Sequence, residues 1–511
     1  MRSVALVLGT AVMTEAVAQA DSPTSAFGLE PGERSVGFRL IEAQDLSRAV
    51  TGGFSTRAHP RPIRIYLWYP ANGTNDPQVM RFGRYAALAD EDVWPPEIAG
   101  GLNEKLNFSR GPLARSLGPE RFETLLQRPV LAVENAEALV GPFPLIVIGQ
   151  GLYYEFPIAF AALAEYLAGR GFVVATAPLV GTNSALVRID IQDLETQVRD
   201  LEFVIGQARR LPFVSSERLG VFGFDMGGMA GVILSMRNPD VDAFVSAASG
   251  ILYPHPSGLP GASPHYAPSA LHAAWLHIGS FTATEPPDTA EARSLFDMAV
   301  HSSRYFLMTE GMAHTDFTSY ALVEDRAPLF GYWNVATPQA AKAHRMVAEY
   351  VYNFFAAFLA ENARSLEFLS LDPEEAFPGS KMTLEHHAAI PAAISYDEFV
   401  LQVVGGQADE AINQLRSSAV IEPDHILFDE TYLFRLTHSL LNTWALAGEA
   451  IPVIEFLLER YPSSANAHLL LGEAHILRED YAAAIEAYTR LLERYPDNAW
   501  GQTRLEWLRM Q

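Results

Sequence analysis

The run Arg218-Leu219-Gly220-Val221-Phe222-Gly223-Phe224-Asp225-Met226-Gly227-Gly228 restricts the fold more than any other stretch of the chain. A short apolar segment ends in Gly-x-Asp-x-Gly-Gly, and residues 229–236 continue with apolar side chains at helical spacing. The pattern predicts a strand, a tight turn and a helix. Glycines flanking the corner let neighbouring backbone approach closely, and they leave Asp225 projecting from a strained position.

Uninterrupted apolar strands are expected at 36–41, 63–68, 145–148, 172–177, 241–248, 274–278 and 304–308, with helices over 158–167, 191–211 and 347–359 between or after them. Strands of this kind alternating with helices indicate α/β architecture, a doubly wound, mainly parallel sheet covered on both faces. Functional groups in such sheets gather at the carboxyl ends of the strands. The aromatic stripe Tyr350, Tyr352, Phe354, Phe355 and Phe358 reads as core.

A length of 511 residues calls for more than one core. The α/β part is expected over 26–360, with 79–138 as an insertion that either lines a pocket or elaborates the periphery. Residues 361–391, with Pro373, Pro378-Gly379 and Pro391, read as a linker. Beyond it, Leu457-Leu458-Glu459-Arg460-Tyr461-Pro462 recurs as Leu491-Leu492-Glu493-Arg494-Tyr495-Pro496, thirty-four residues later. That period belongs to tetratricopeptide helix pairs, and Leu471-Gly472, Ala484, Tyr488 and Pro496 fit the pattern; His468 and His475 stand where it prefers Trp and Tyr. A degenerate unit around 408–415 would complete three repeats, so an all-α tetratricopeptide-like domain is expected over 392–511. It would serve as a protein-binding surface, brace the α/β part, or mediate self-association.

Residues 1–20 read as a secretory signal: Arg2, an apolar run over 4–13 too short to span a bilayer, and Ala18-Gln19-Ala20 before Asp21. This implies export to a periplasm or the exterior. Sixty acidic against thirty-six basic residues give a net charge of −24, which repels phosphate backbones and anionic lipid and argues against nucleic-acid partners. Without cysteine, disulfides and thiolate metal sites are excluded. The isolated histidines 255, 265, 272, 386 and 387 lack carboxylates at ligand spacing, so neither metal nor cofactor is expected.

With these residues in place, the region 36–359 resembles the α/β-hydrolase superfamily, and within it the platelet-activating-factor acetylhydrolase and dienelactone hydrolase-like branch. The resemblance rests on Asp45-Leu46-Ser47-Arg48, Trp68-Tyr69-Pro70-Ala71, Gly149-Gln150-Gly151-Leu152, the Asp225 corner and Gly311-Met312-Ala313-His314-Thr315-Asp316-Phe317. It implies hydrolase activity on a small organic substrate, with His314 in the catalytic loop and backbone N–H groups of Leu152 and Met226 as the oxyanion hole. Three positions depart from the pattern: Asp225 replaces the nucleophilic serine, Gln150 replaces a histidine, and Ser249 stands where that branch has its acid.

An ionised carboxylate is a nucleophile without a base. The corner is similar to that of haloalkane and haloacetate dehalogenases and epoxide hydrolases, in which the Asp forms an alkyl ester that His-activated water hydrolyses. Asp225 therefore reads as nucleophile or as general base beside His314. Glu285 or Asp288 is the candidate acid behind His314, although Glu285-Pro286-Pro287-Asp288 equally suits a solvated turn. Asp316 reads as a local loop residue. Tyr153 and Tyr154 either donate to a leaving oxygen or line the pocket. The competing reading is a catalytically inactive pseudoenzyme, with Asp225 and His314 as an inert ion pair and the helical repeats supplying a scaffold function.

Overall fold

The computed structural model describes residues 27–51, 58–73, 79–90, 111–152, 157–184, 187–252, 259–281, 294–323, 338–390, 394–419 and 422–510. The segment 1–20, Tyr153, Tyr154, Glu285 and Asp288 therefore lie outside the described residues. The chain divides into two compact units, one covering residues up to 299 with 304–387, the other 300–303 with 388–511.

The first unit is built on one sheet. Its strands are β1 (Ser35–Val50), β2 (His59–Ala71), β3 (Val79–Arg81), β4 (Pro129–Glu134), β5 (Phe143–Gly149), β6 (Val173–Thr176), β7 (Val214–Phe224), β8 (Val241–Ala247), β9 (Ala274–Phe281), β10 (Arg304–Glu310) and β11 (Met382–His387). They lie in the order β11-β10-β9-β8-β7-β5-β6-β2-β1-β4-β3. The run from β6 to β10 is parallel throughout, and β2 and β11 pair antiparallel at its two ends.

Both faces of that central run are covered, which is why its strands read as continuous apolar segments. Side chains alternate between two cores. Ile146, Ile148, Phe222 and Phe224 enter the core shared with the helices Ile158–Ala168 and Pro338–Leu359. Leu145, Val147, Leu219 and Val221 enter the opposite core with the helices Ile191–Ala208 and Met226–Arg237. Strand order reverses at β5: the chain leaves it for β6 on one side and returns to β7 on the other. Loops after β5 and β7 consequently diverge at a switch point, where this class of sheet opens a crevice.

Two stretches contribute strands to this sheet. Of the segment expected as an insertion, 79–138, the described ends are not detached from it: β4 pairs parallel with β1 (Val36 opposite Ala132) and β3 pairs with β4 at the sheet edge. The segment is tied inward by Tyr85, which accepts from Trp68 Nε1 and donates to Glu165 Oε1, both at 2.7 Å. Residues 361–391 are not simply a linker either. Pro373 opens a short helix (Pro373–Ala376) capped by Asp372, and β11 continues the sheet with His386 opposite Tyr305. Pro373 marks a helix start rather than irregular chain.

Close backbone approach at the corner is enforced by glycine. A Cβ on Gly227 would stand 2.1 Å from the Gly149 carbonyl oxygen, and one on Gly223 2.4 Å from the Gly227 oxygen. Both obstacles are backbone, which cannot rotate away. Gly227→Ala is expected to destabilise the unit by about 3 kcal/mol, seen as a lower urea midpoint. A midpoint equal to wild type would show that the corner tolerates separation of β5 from the helix that follows β7.

In the second unit the helices Tyr396–Val404 and Ala408–Ser418, Glu430–Asn442 and Ala447–Arg460, and Ala465–Leu477 and Tyr481–Arg494 follow one another in pairs, with Ala499–Leu508 last. The thirty-four-residue period has a physical counterpart. Tyr461 donates its hydroxyl to the Phe428 carbonyl, and Tyr495 donates to that of Ser463. Gly472 lies against Tyr488, whose ring would stand 2.4 Å from an added Cβ, so the small residue and the ring form one joint between paired helices.

Candidate active site

Asp225 sits between β7 and the helix Met226–Arg237 with φ 52° and ψ −120°. A non-glycine residue with such a backbone is strained, and strain of this kind persists only where the surroundings fix it. Here the corner N–H donates to the Ala247 carbonyl at 3.2 Å. The corner carbonyl accepts from Gly228 N–H at 3.0 Å and from the Ser249 hydroxyl at 2.7 Å. Ser249, at the position where an acid is absent, is thus a brace for the corner backbone.

The two oxygens of Asp225 have different surroundings. Oδ2 accepts the Leu152 N–H at 2.9 Å. Oδ1 faces His314 Nε2 at 3.9 Å. That separation is too long for a direct hydrogen bond and short enough for one water to touch both atoms. Met226 opens the helix, so its N–H is among those the helix itself leaves unpaired.

His314 is delivered by the turn after β10. Gly311 takes φ 78°, and Met312 N–H donates to Ser280 Oγ at 3.1 Å. Asp316 Oδ2 accepts Ala313 N–H at 2.8 Å, which places that carboxylate within the loop's own framework. From behind, His344 Nδ1 donates to the Asp316 carbonyl at 2.9 Å. Burial pushes the His344 imidazole down to about 4, so it stays neutral and keeps that proton on Nδ1. The His314 ring packs on Phe224, centroids 4.7 Å apart.

Some 43% of the His314 side chain and 24% of the Asp225 side chain reach solvent, so both are accessible to a small molecule. Packing against the loop and Phe224 still removes enough water that desolvation outweighs the Asp225 carboxylate and lowers the His314 pKa. A histidine acting as a base must be neutral, and a lowered pKa would keep His314 neutral to lower pH. The acid limb of kcat/KM is therefore expected to break below 6.5, the ordinary histidine value. A break at or above 6.5 would contradict this.

The structure brings Asp225, His314, Leu152 and Gln150 to one end of β5 and β7. Gln150 is buried, its Nε2 donating to Thr176 Oγ1 at 2.8 Å and to the Ala177 carbonyl at 3.1 Å. Sequence reasoning missed Gln197, whose Nε2 donates to the Gln150 carbonyl at 2.8 Å. The available signal was the spacing of Asp193, Gln197 and Asp200, polar residues on the face of a helix that must bury one side. Among the described residues no group of three or more His, Asp or Glu is arranged to hold a metal. No described helix is long and apolar enough to cross a membrane.

The family model for the tetratricopeptide repeat matches residues 447–499. Among solved structures, a ferulic acid esterase from Streptomyces cinnamoneus is 20% identical, with a TM-score of 0.49 over 70% of this chain and 98% of its own. Comparison with curated proteins finds no match. The chain thus joins an α/β unit with a mainly parallel sheet to a unit of tetratricopeptide repeat helices.

Proposed function

We propose that the chain is a hydrolase in which Asp225 is the nucleophile and His314 the base that activates water. The observation that supports this is the asymmetry of the corner carboxylate, with Oδ2 tied to the Leu152 N–H and Oδ1 open toward His314. Oδ1 attacks an sp³ carbon; the new C–O bond forms as a carbon–halogen bond breaks and halide departs, or as an epoxide C–O bond breaks and the ring oxygen, still on the fragment, takes a proton from solvent, giving an alkyl ester of Asp225. His314 Nε2 then takes a proton from water, whose oxygen adds to the ester carbon of Asp225. Charge develops on Oδ2 beside the Leu152 N–H, which is already aimed at it. Collapse expels the alkoxide, which takes the proton from His314 and leaves as the alcohol, and Asp225 loses its remaining proton to solvent to restore the carboxylate.

Esters and lactones fit the same pair by a second route, in which His314 and Asp225 act as general base for direct attack by water, since a carboxylate adding to an ester carbonyl would give a mixed anhydride. An inert ion pair would need a charged imidazole; desolvation lowers the His314 pKa and so favours the neutral ring of the working pair. The reading also takes residues 1–20 as an export signal and the repeats as a surface for a protein partner or a second copy, in keeping with the tetratricopeptide match. A panel of epoxides, haloacids and p-nitrophenyl esters tests it. Turnover of at least one class above the uncatalysed rate is expected, and no turnover of any class would leave the chain a scaffold that acts through its repeats.

A further inference from the structure

We propose that Gln197, on the buried face of the helix Ile191–Ala208, is a positioning residue that aims the Leu152 N–H at the Asp225 carboxylate. The inference rests on the reading of Asp225 as nucleophile. Between β5 and Leu152 the chain passes through Gln150 and Gly151, and glycine offers two soft dihedrals with no side chain to restrain them. A Cβ at Gly151 would stand 2.7 Å from Asp225 Cβ, so the turn needs glycine and must be stiffened from elsewhere.

The stiffening comes from both ends of Gln150. Its side-chain N–H groups hold Thr176 Oγ1 and the Ala177 carbonyl, and Thr176 Oγ1 in turn donates to the Ile148 carbonyl at 2.9 Å. Its backbone carbonyl is held by Gln197 Nε2 at 2.8 Å. That carbonyl belongs to the peptide entering Gly151, so fixing it fixes one side of the only flexible residue before Leu152. The other side is fixed by Asp225 Oδ2 at 2.9 Å.

A second observation separates positioning from mere packing. Gln197 is 4% and Gln150 1% exposed, and the Oε1 atom of each is buried without a hydrogen-bond partner among the described residues. An unpaired buried acceptor costs stability, and a core selected for stability alone would put an apolar side chain of equal size there. What the two amides supply at these buried positions is their N–H groups, which hold Thr176 Oγ1 and the carbonyls of Ala177 and Gln150. Neighbouring positions on the same helix do comparable work: Asp193 Oδ1 accepts the Thr182 N–H and Asp200 pairs with Arg61, each securing backbone after β6.

Gln197→Met keeps the volume and removes the donor. The variant is expected to lose about 10- to 100-fold in kcat with KM within about twofold. Its urea midpoint should change little, because loss of the unpaired Gln197 Oε1 offsets the Gln150 carbonyl left without its donor, and the Leu152 amide should exchange with deuterium about 10-fold faster or more against an otherwise unchanged map. A loss of kcat that tracks a fall in midpoint and a general rise in exchange would overturn the proposal in favour of a structural role. Unchanged exchange at Leu152 would overturn it whatever the activity. Because exchange needs no substrate, faster exchange at Leu152 in a protein without turnover would uphold the positioning while the hydrolase reading fails. Gln197→Leu, read by the same outcomes, covers the case in which the Met variant does not fold.

Discussion

Asp225→Asn is expected to lower turnover by about 10³-fold or more without moving the urea midpoint appreciably. The substitution keeps the shape of the side chain, and asparagine tolerates positive φ better than most residues, so the corner at φ 52° persists. An amide oxygen can still accept the Leu152 N–H. What disappears is the negative charge on the oxygen facing His314, and with it the nucleophile of the proposed reaction. If Asp225→Asn turns substrate over at the wild-type rate, neither the covalent route nor the general-base route survives. A variant that is inactive because it has unfolded would be recognised by its midpoint and would not count for the account.

His314→Gln separates the two halves of the reaction. In the proposed reaction, attack by Oδ1 does not require a base whereas hydrolysis of the ester does, so the loss should fall on the second half and amount to about 10²- to 10⁴-fold in kcat. The consequence is a trapped intermediate. With an epoxide or haloacid turned over by the wild type, the variant is expected to gain the mass of one alkyl fragment per chain, located by peptide mapping on the segment containing Asp225. Wild-type turnover by the variant would remove His314 from the mechanism. Slow turnover without any adduct would place its role before the covalent step.

The α/β arrangement was legible because a parallel strand buried on both faces must be apolar along its whole length, as Ile146, Val147 and Ile148 or Val221 and Phe222 are. The repeat unit was legible because identical hexapeptides recur at a fixed period and Tyr461 and Tyr495 repeat one hydrogen-bonding role. What escaped was pairing at the sheet edges. β4 alternates over only six residues and β11 reads His-rich and polar, so neither differs from loop until its partner strand is known. Asp225 and His314 were singled out by type and chain order, yet the asymmetry between Oδ1 and Oδ2 depends on the Leu152 N–H, seventy-three residues away in sequence. Gln197 escaped for the same reason: a glutamine in a helix announces nothing until the carbonyl it holds is seen to precede Gly151.

Single turnover in ¹⁸O-labelled water, with enzyme in excess over an epoxide or haloacid, decides whether Asp225 forms a bond to its substrate. Water that opens an Asp225 ester adds to the carboxylate carbon, so mass spectrometry is expected to find the label in the Asp225 side chain and unlabelled oxygen in the first product. Label in the product alone, with Asp225 unlabelled, would mean that water attacks the substrate directly and that the corner carboxylate never forms a bond to it.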